Sequence, residues 1–388
     1  MTILTVVLTL MLCLLMTSCA DIVDASEDSS AADISSGAHT ILHDTSEVNE
    51  ENDESVVELQ PLSEGQLQLR RLNSGRTAIS SVDLKNSTES GRILYVEDTD
   101  TTFWTDNKYL YQKTGDECFA LVSGIVYSLS LYEGKLYFIC SETIAAEQPM
   151  RGEPFVLDLE TGVLTSLSDR TTSAIYVQSD RIILQCFESY TDTDGALRGR
   201  YIYYESAHDG AGLTRRDNAV LCTDADRYVT CVQDGEAAYD IYYCRDDESP
   251  RILLATESCM PRKAVLYGEY LYFIEGSWGD TIKQVALDGS KAAVCCTDYQ
   301  YIWDYTFHDG ELYLLTDVYF GRVDSEMRFI RGRIMHEDIS STQFYSLYSY
   351  KGGIIATTRA GFRAVTADEF GNYLFSHFKF KDDADTGA

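Results

Sequence analysis

The side chains in this sequence with the widest chemical reach are its 11 cysteines, six histidines, paired carboxylates and three tryptophans. Nine cysteines fall after residue 100. Cys140, Cys186 and Cys231 each stand five or six residues beyond a polar turn, at Gly134, Asp180 and Asp226. That spacing puts them at a similar place on the second strand of successive hairpins, where a thiol serves as a small apolar core side chain. Cys222 and Cys231 flank one turn, so a disulfide between them is conceivable if they oppose each other across the strands. An odd number of cysteines argues against a complete disulfide framework, and no pair has zinc-site spacing.

The histidines are scattered. His39 and His43 lie in an acidic N-terminal stretch, His208 and His308 each precede an Asp-Gly turn, His336 adjoins Glu337, and His377 alternates with Phe375. Hydrolysis by a side-chain nucleophile needs a base oriented beside it. Neither G-x-S-x-G nor H-E-x-x-H is present to begin such a site. No catalytic residue, cofactor or metal site is therefore assigned. An enzyme with a loop-built site, such as a lyase or glycosidase, stands as an alternative. Asp192-Thr193-Asp194-Gly195 offers alternating oxygens and a glycine turn but lacks the bidentate glutamate of a calcium loop. It reads as a solvated acidic turn.

The aromatics carry the best binding candidate. Trp278 lies within Gly276-Ser277-Trp278-Gly279-Asp280, Tyr299, Tyr301 and Trp303 follow, and Tyr319-Phe320 occupy a corresponding position one repeat later. Exposed on one rim, such side chains suit sugar rings or extended peptide, because they bury large flat areas at small entropic cost. The competing reading has Tyr301 and Trp303 filling the gap between neighbouring sheets.

The elements that must position these residues repeat. Alternating runs meet at tight turns around Gly134, Asp180, Asp226, Gly268, Gly310 and Gly352, at spacings of 46, 46, 42, 42 and 42 residues. Glu-Gly, Asp-Gly and Gly-Gly between alternating runs are hairpin signals. A second hairpin follows in each unit, turning at Thr161-Gly162, Asp209-Gly210, Asp288-Gly289 and Phe370-Gly371. Four strands at this period predict an all-β chain folded as a β-propeller of four-stranded blades. A shorter unit from Ile93 through Phe103 and Tyr109 to Leu121 brings the count to seven, with six as the alternative. Residues 65–85 supply either a closing strand or part of another unit.

The amino terminus sets the address. Residues 2–18 form an apolar run that ends in Met16-Thr17-Ser18-Cys19, and the chain turns polar at Asp21. This resembles the lipobox of bacterial lipoproteins. The resemblance implies cleavage before Cys19, lipidation of its thiol and attachment to a membrane by the N-terminal lipid, with the rest of the chain extracytoplasmic. An uncleaved membrane anchor is the other reading. Residues 20–69 hold 13 acidic residues and no lysine or arginine. Their composition predicts a disordered acidic tether over 19–62, between a signal peptide at 1–18 and a propeller domain at 63–388. With a formal net charge of −31, the chain repels nucleic-acid phosphates, which excludes that partner class.

Phe103-Trp104-Thr105-Asp106 looks like the YWTD signature of lipoprotein-receptor propellers, and Leu314-Leu315-Thr316-Asp317 is a fainter echo. The region from about 90 to 380 is similar to a bacterial family described as resembling that propeller, many of whose members are exported. The resemblance implies the architecture. Together with the aromatic rim it leads to the expectation of a tethered propeller that binds a peptide, protein or glycan partner through one face. A scaffold in an envelope complex is the alternative role.

Overall fold

The computed structural model describes residues 91–106, 108–141, 151–224, 227–234, 238–245, 249–275, 278–297, 300–336, 344–358 and 361–380. Cys19, the signal and tether segments, His39, His43, Tyr299 and the turn residue Asp226 lie outside the described residues.

Among the described residues the structure is strand and turn, apart from one 3-10 turn at Glu97–Thr99. The first antiparallel sheet holds β1 (Ile93–Val96), β2 (Thr101–Thr105), β3 (Tyr109–Thr114) and β4 (Glu117–Ser123). The second holds β5 (Ile125–Tyr132), β6 (Lys135–Ser141), β7 (Glu153–Asp158) and β8 (Leu164–Ser166). The third holds β9 (Thr172–Val177), β10 (Ile182–Thr191), β11 (Leu197–Ser206) and β12 (Thr214–Arg216). The fourth holds β13 (Ala219–Asp224), β14 (Arg227–Asp234), β15 (Ala238–Cys244) and β16 (Ile252–Glu257). The fifth holds β17 (Arg262–Tyr267), β18 (Tyr270–Glu275), β19 (Thr281–Ala286) and β20 (Ala292–Cys296).

A last, eight-stranded sheet joins two such meanders. One runs through β21 (Ile302–His308), β22 (Glu311–Thr316), β23 (Tyr319–Val323) and β24 (Phe329–His336). The other runs through β25 (Phe344–Tyr350), β26 (Gly353–Thr358), β27 (Gly361–Ala367) and β28 (Tyr373–Phe378). The join is a parallel pairing of Ile334–His336 in β24 with Tyr373–Phe375 in β28.

The turns explain the register. Glu133-Gly134, Asp309-Gly310 and Lys351-Gly352 have positive φ at both residues, 46° and 74°, 50° and 77°, and 41° and 75°. Two-residue turns of this hand match the right-handed twist of their strands, and glycine takes the second place without steric cost. The expected turn at Gly352 therefore closes through Lys351-Gly352, with Tyr350 facing Gly353.

The first strand of each sheet lies innermost and packs against the first strand of the next. Thus β1 meets β5, β5 meets β9, β9 meets β13, β13 meets β17, and β21 meets β25. The hydroxyl of Tyr305 in β21 donates to the carbonyl of Lys263, which bridges β17 to β21. The circle closes where β25 meets β1. There Tyr348 accepts a hydrogen bond from the backbone N–H of Arg92 at 2.8 Å. Trp104, Tyr111, Tyr348, Tyr350 and Phe380 fuse the first and last sheets in one apolar cluster. Because neighbouring sheets cover both faces of these inner strands, β9 is buried at every position. Each buried Leu, Ile or Phe in such a seam contributes about 1.5–3 kcal/mol.

Register shifts place an extra residue in the first strand of every sheet but the first: in β5, β9, β13, β17, β21 and β25. A bulge bends its strand and redirects the side chain it leaves unpaired. In β13 the shift pairs Ala219 with Cys231 and Cys222 with Val229. Cys222 and Cys231 are therefore out of register, and the disulfide entertained from their spacing does not form: both are free thiols. Both are buried in the same core cluster as apolar side chains, and burial pushes the Cys231 thiol up to about 11. Cys140 and Cys186 pack into the cluster shared by the first three sheets, the role their spacing predicted.

Candidate aromatic binding face

In each meander the connection between second and third strands and the connection to the next sheet emerge at one end. At that end Trp278 occupies the β18–β19 connection with 79% of its surface exposed. The backbone behind it is pinned. Gly279, at φ +63°, accepts the N–H of Ile302 on its carbonyl at 2.7 Å. The Asp280 carbonyl accepts both the N–H and the hydroxyl of Thr297, at 2.9 and 2.8 Å. The Trp278 loop is thus stitched to the chain entering β21.

Gly279 is needed for space as well as for backbone. A Cβ there would fall 2.1 Å from an Arg262 guanidinium nitrogen and 3.1 Å from the Tyr301 ring. Arg262, the first residue of β17, lies over that ring at 4.9 Å and donates to its hydroxyl. Its Nη2 is buried without a partner among the described residues. Tyr301 meets Trp303 edge to face at 5.0 Å. Trp303 is the extra residue of the β21 bulge, between the pairs Ile302–Thr316 and Asp304–Leu315. Its indole N–H donates to Asp317 at 2.6 Å, while its ring packs partly buried against the Leu315–Phe320 cluster. Trp303 thus packs in the seam between neighbouring sheets while its indole N–H reaches Asp317 in the turn after β22.

The predicted set does not survive whole. Tyr319 opens β23, partly buried, with the Arg331 guanidinium 4.6 Å from its ring. Phe320 was expected in an exposed loop, yet it is 1% exposed within β23 and packs against Tyr373 and Phe375 at 4.7 and 5.7 Å. The pleat turns it to the core beneath Tyr319, and it is withdrawn from the face. Arg262 and Asp317 join it instead. Arg262 carries no motif and Asp317 closes the fainter YWTD echo; the register of β17 and the turn after β22 bring them there.

Below the face lies a charged layer. Lys263 and the buried Asp304 pair at 3.3 Å across β17 and β21. Asp304 also accepts the N–H of Leu347 in β25 at 2.7 Å, so one carboxylate ties three neighbouring inner strands. Nearby, Lys283 contacts Glu257 at 2.5 Å and Glu275 at 3.8 Å. Burial, then the adjacent Glu257 carboxylate, raises the Glu275 pKa, and Lys283 partly offsets the shift. Such a pair holds a proton more readily than isolated carboxylates do.

The motif-like residues serve the architecture. Trp104 is buried, stacked between Tyr111 and Phe380 with ring centroids 5.0 Å away on either side. Asp106 accepts the N–H groups of Lys108 and Tyr109, each at 3.0 Å, and the Tyr111 hydroxyl at 2.9 Å, fixing the β2–β3 turn. In the echo, the Thr316 hydroxyl accepts the Tyr319 N–H at 3.0 Å. Asp192 likewise spends its oxygens on its own turn, accepting from Asp194, Ala196 and Arg198.

No protein-family model matches the sequence, and no curated protein matches it either. Solved structures do. Hsv2 of Kluyveromyces lactis superposes with a TM-score of 0.50 at 8% identity, over 76% of this chain and 98% of that one. A chain of a mitotic checkpoint complex gives 0.49 at 8% identity, over 88% of this chain and 99% of that one. An acylaminoacyl peptidase of Pyrococcus horikoshii gives 0.44 at 12% identity, over 71% of this chain and 49% of that one. The fold is that of a β-propeller. At such identities the first match speaks to the fold alone, and the two weaker ones carry no argument.

Proposed function

We propose that this chain is a seven-bladed propeller that binds a peptide, protein or glycan partner through the face bearing Trp278, carried to the outer side of a bacterial membrane by lipidation at Cys19. The seven four-stranded meanders, two of them joined through β24 and β28, support the blade count. One observation carries the binding reading: a largely exposed tryptophan stands on a backbone pinned by hydrogen bonds and flanked by Arg262 and Tyr301. A rigid aromatic anchor beside a guanidinium provides flat apolar area and directed donors at low ordering cost. The apolar run over 2–18 and the small residues before Cys19 support the address.

Arrays of glycans and peptides probed with the full-length chain test the face. Binding that Trp278→Ala removes supports it; binding that survives Trp278→Ala and Tyr301→Ala places the site elsewhere. Intact mass of the protein from its own membranes tests the address. A diacyl or triacyl Cys19 as first residue supports it, and a retained Met1 with unmodified Cys19 refutes it. The Glu257–Glu275–Lys283 group favours a second, enzymatic reading, with Glu275 as proton donor. Cleavage of an envelope polymer that Glu275→Gln abolishes would establish that reading instead.

A further inference from the structure

We infer that the cleft between the third and fourth sheets is a separate binding site for a small oxyanion, a carboxylate or phosphate on a molecule no larger than a sugar. The cleft encloses about 360 Å³, at the lower end of small-molecule sites. Its floor is Tyr228 and Thr230 of β14 with Cys244 of β15, all buried. Arg216 and Asn218 form one wall, from the end of β12 and the link to β13, and Ser249, Pro250 and Arg251 form the other.

Three features point to an anion. Thr230, which lines the cleft, is 2% exposed, and its buried hydroxyl has no hydrogen-bond partner among the described residues. A buried hydroxyl in that condition costs free energy unless something enters to bond it. The Arg251 guanidinium is exposed, lies 5.2 Å from the Tyr242 ring, and has no carboxylate partner among the described residues. Arg216, facing it, pairs with Glu205, while Arg181, 3.8 Å from the same carboxylate, also pairs with Asp180 at 3.8 Å. Arg251 supplies the cationic charge of the cleft and Arg216 further donors, and guanidinium N–H forks match carboxylate and phosphate oxygens. Asn218 and Ser249 add polar groups at the rim. The cleft lies on blades other than those bearing Trp278, so the two sites fail or succeed independently.

Calorimetric titration of the full-length chain with D-glucuronate, with inorganic phosphate and with uncharged D-glucose tests this. One or both anions should bind, with glucose at least about tenfold weaker, and Arg251→Gln should weaken the anion about tenfold, as expected for a lost charge-assisted hydrogen bond. Arg251 is exposed, so that variant should fold as the parent does. Thr230→Val, checked for unchanged unfolding, should weaken binding as well, while Trp278→Ala should leave it untouched. Glucuronate alone binding identifies a carboxylate ligand, and phosphate alone a phosphate or phosphoester. No binding of either anion at about 10 mM, beyond the millimolar range of weak specific sites, overturns the inference. So does anion binding indifferent to Arg251→Gln or Thr230→Val.

Discussion

Trp278 and Phe370 stand almost equally clear of the molecule, at 79% and 81% exposure, and each is followed by a glycine with positive φ. They lie at opposite ends of the sheets. Phe370 tips the β27–β28 hairpin, where Asp368 accepts the N–H groups of Phe370 and Asn372 at 2.9 and 2.7 Å. The Asn372 side-chain amide, donating at 3.0 Å, and then those backbone hydrogen bonds hold the Asp368 carboxyl below its ordinary range. The turn is complete in itself, and Gly371 has nothing within 4 Å of where a Cβ would go. Trp278 has no such closed turn. Its glycine is crowded by a guanidinium from β17 and a tyrosine from the chain entering β21. Exposure is common to both residues; only the Trp278 loop is held by hydrogen bonds to the chain entering β21.

The contrast can be broken most forcefully from beneath. Asp304 ties β17, β21 and β25 under the Trp278 end through Lys263 and the Leu347 N–H. Asp304→Ala removes the carboxylate that pairs with Lys263 and accepts the buried Leu347 N–H, and should cost about 3–5 kcal/mol in denaturant unfolding. Asp304→Asn keeps an acceptor for Leu347 and should cost less. Equal losses in the two variants would mean that the charge, and not the N–H bond, holds these strands.

The glycines come next. Alanine at either position takes a left-handed backbone conformation at about 1–2 kcal/mol. Gly279→Ala must also push Arg262 from the Tyr301 hydroxyl, adding about 0.5–1.5 kcal/mol for the broken hydrogen bond. Gly371→Ala should therefore be the milder of the two, as read by thermal unfolding. A Gly371 variant as damaged as the Gly279 variant would remove the distinction drawn here.

Much of this was legible because it is local. Glu133-Gly134 and Asp309-Gly310 name their own turn type, so hairpins, period and four-stranded units could be read directly. The same local logic placed Trp278 in a connection between second and third strands. What failed depends on partners far along the chain. Phe320 looks like a loop residue until Phe375 and Tyr373, more than 50 residues later, cover it. The bulge that slips Cys222 past Cys231 leaves no mark in residue types. Arg262 enters the face only because the chain before β21 returns Tyr301 to it, and the pairing of β24 with β28 joins two repeats that look independent in sequence.

The smallest effect on stability is also the most discriminating. Trp278→Ala and Phe370→Ala each remove a ring that is mostly in water, so each should change unfolding free energy by no more than about 0.5 kcal/mol. Stability cannot separate them; partner binding should. Truncating an anchor residue costs an interface about 2 kcal/mol or more, roughly thirtyfold in affinity, whereas surrounding contacts are close to neutral. If the pinned loop is the anchor, the Trp278 variant loses its glycan or peptide signal and the Phe370 variant keeps it. Loss in both would make the two ends parts of one larger surface, and the packing of Arg262 against Gly279 would then serve the fold alone. Loss only in the Phe370 variant would invert the comparison and move the face to the hairpin end.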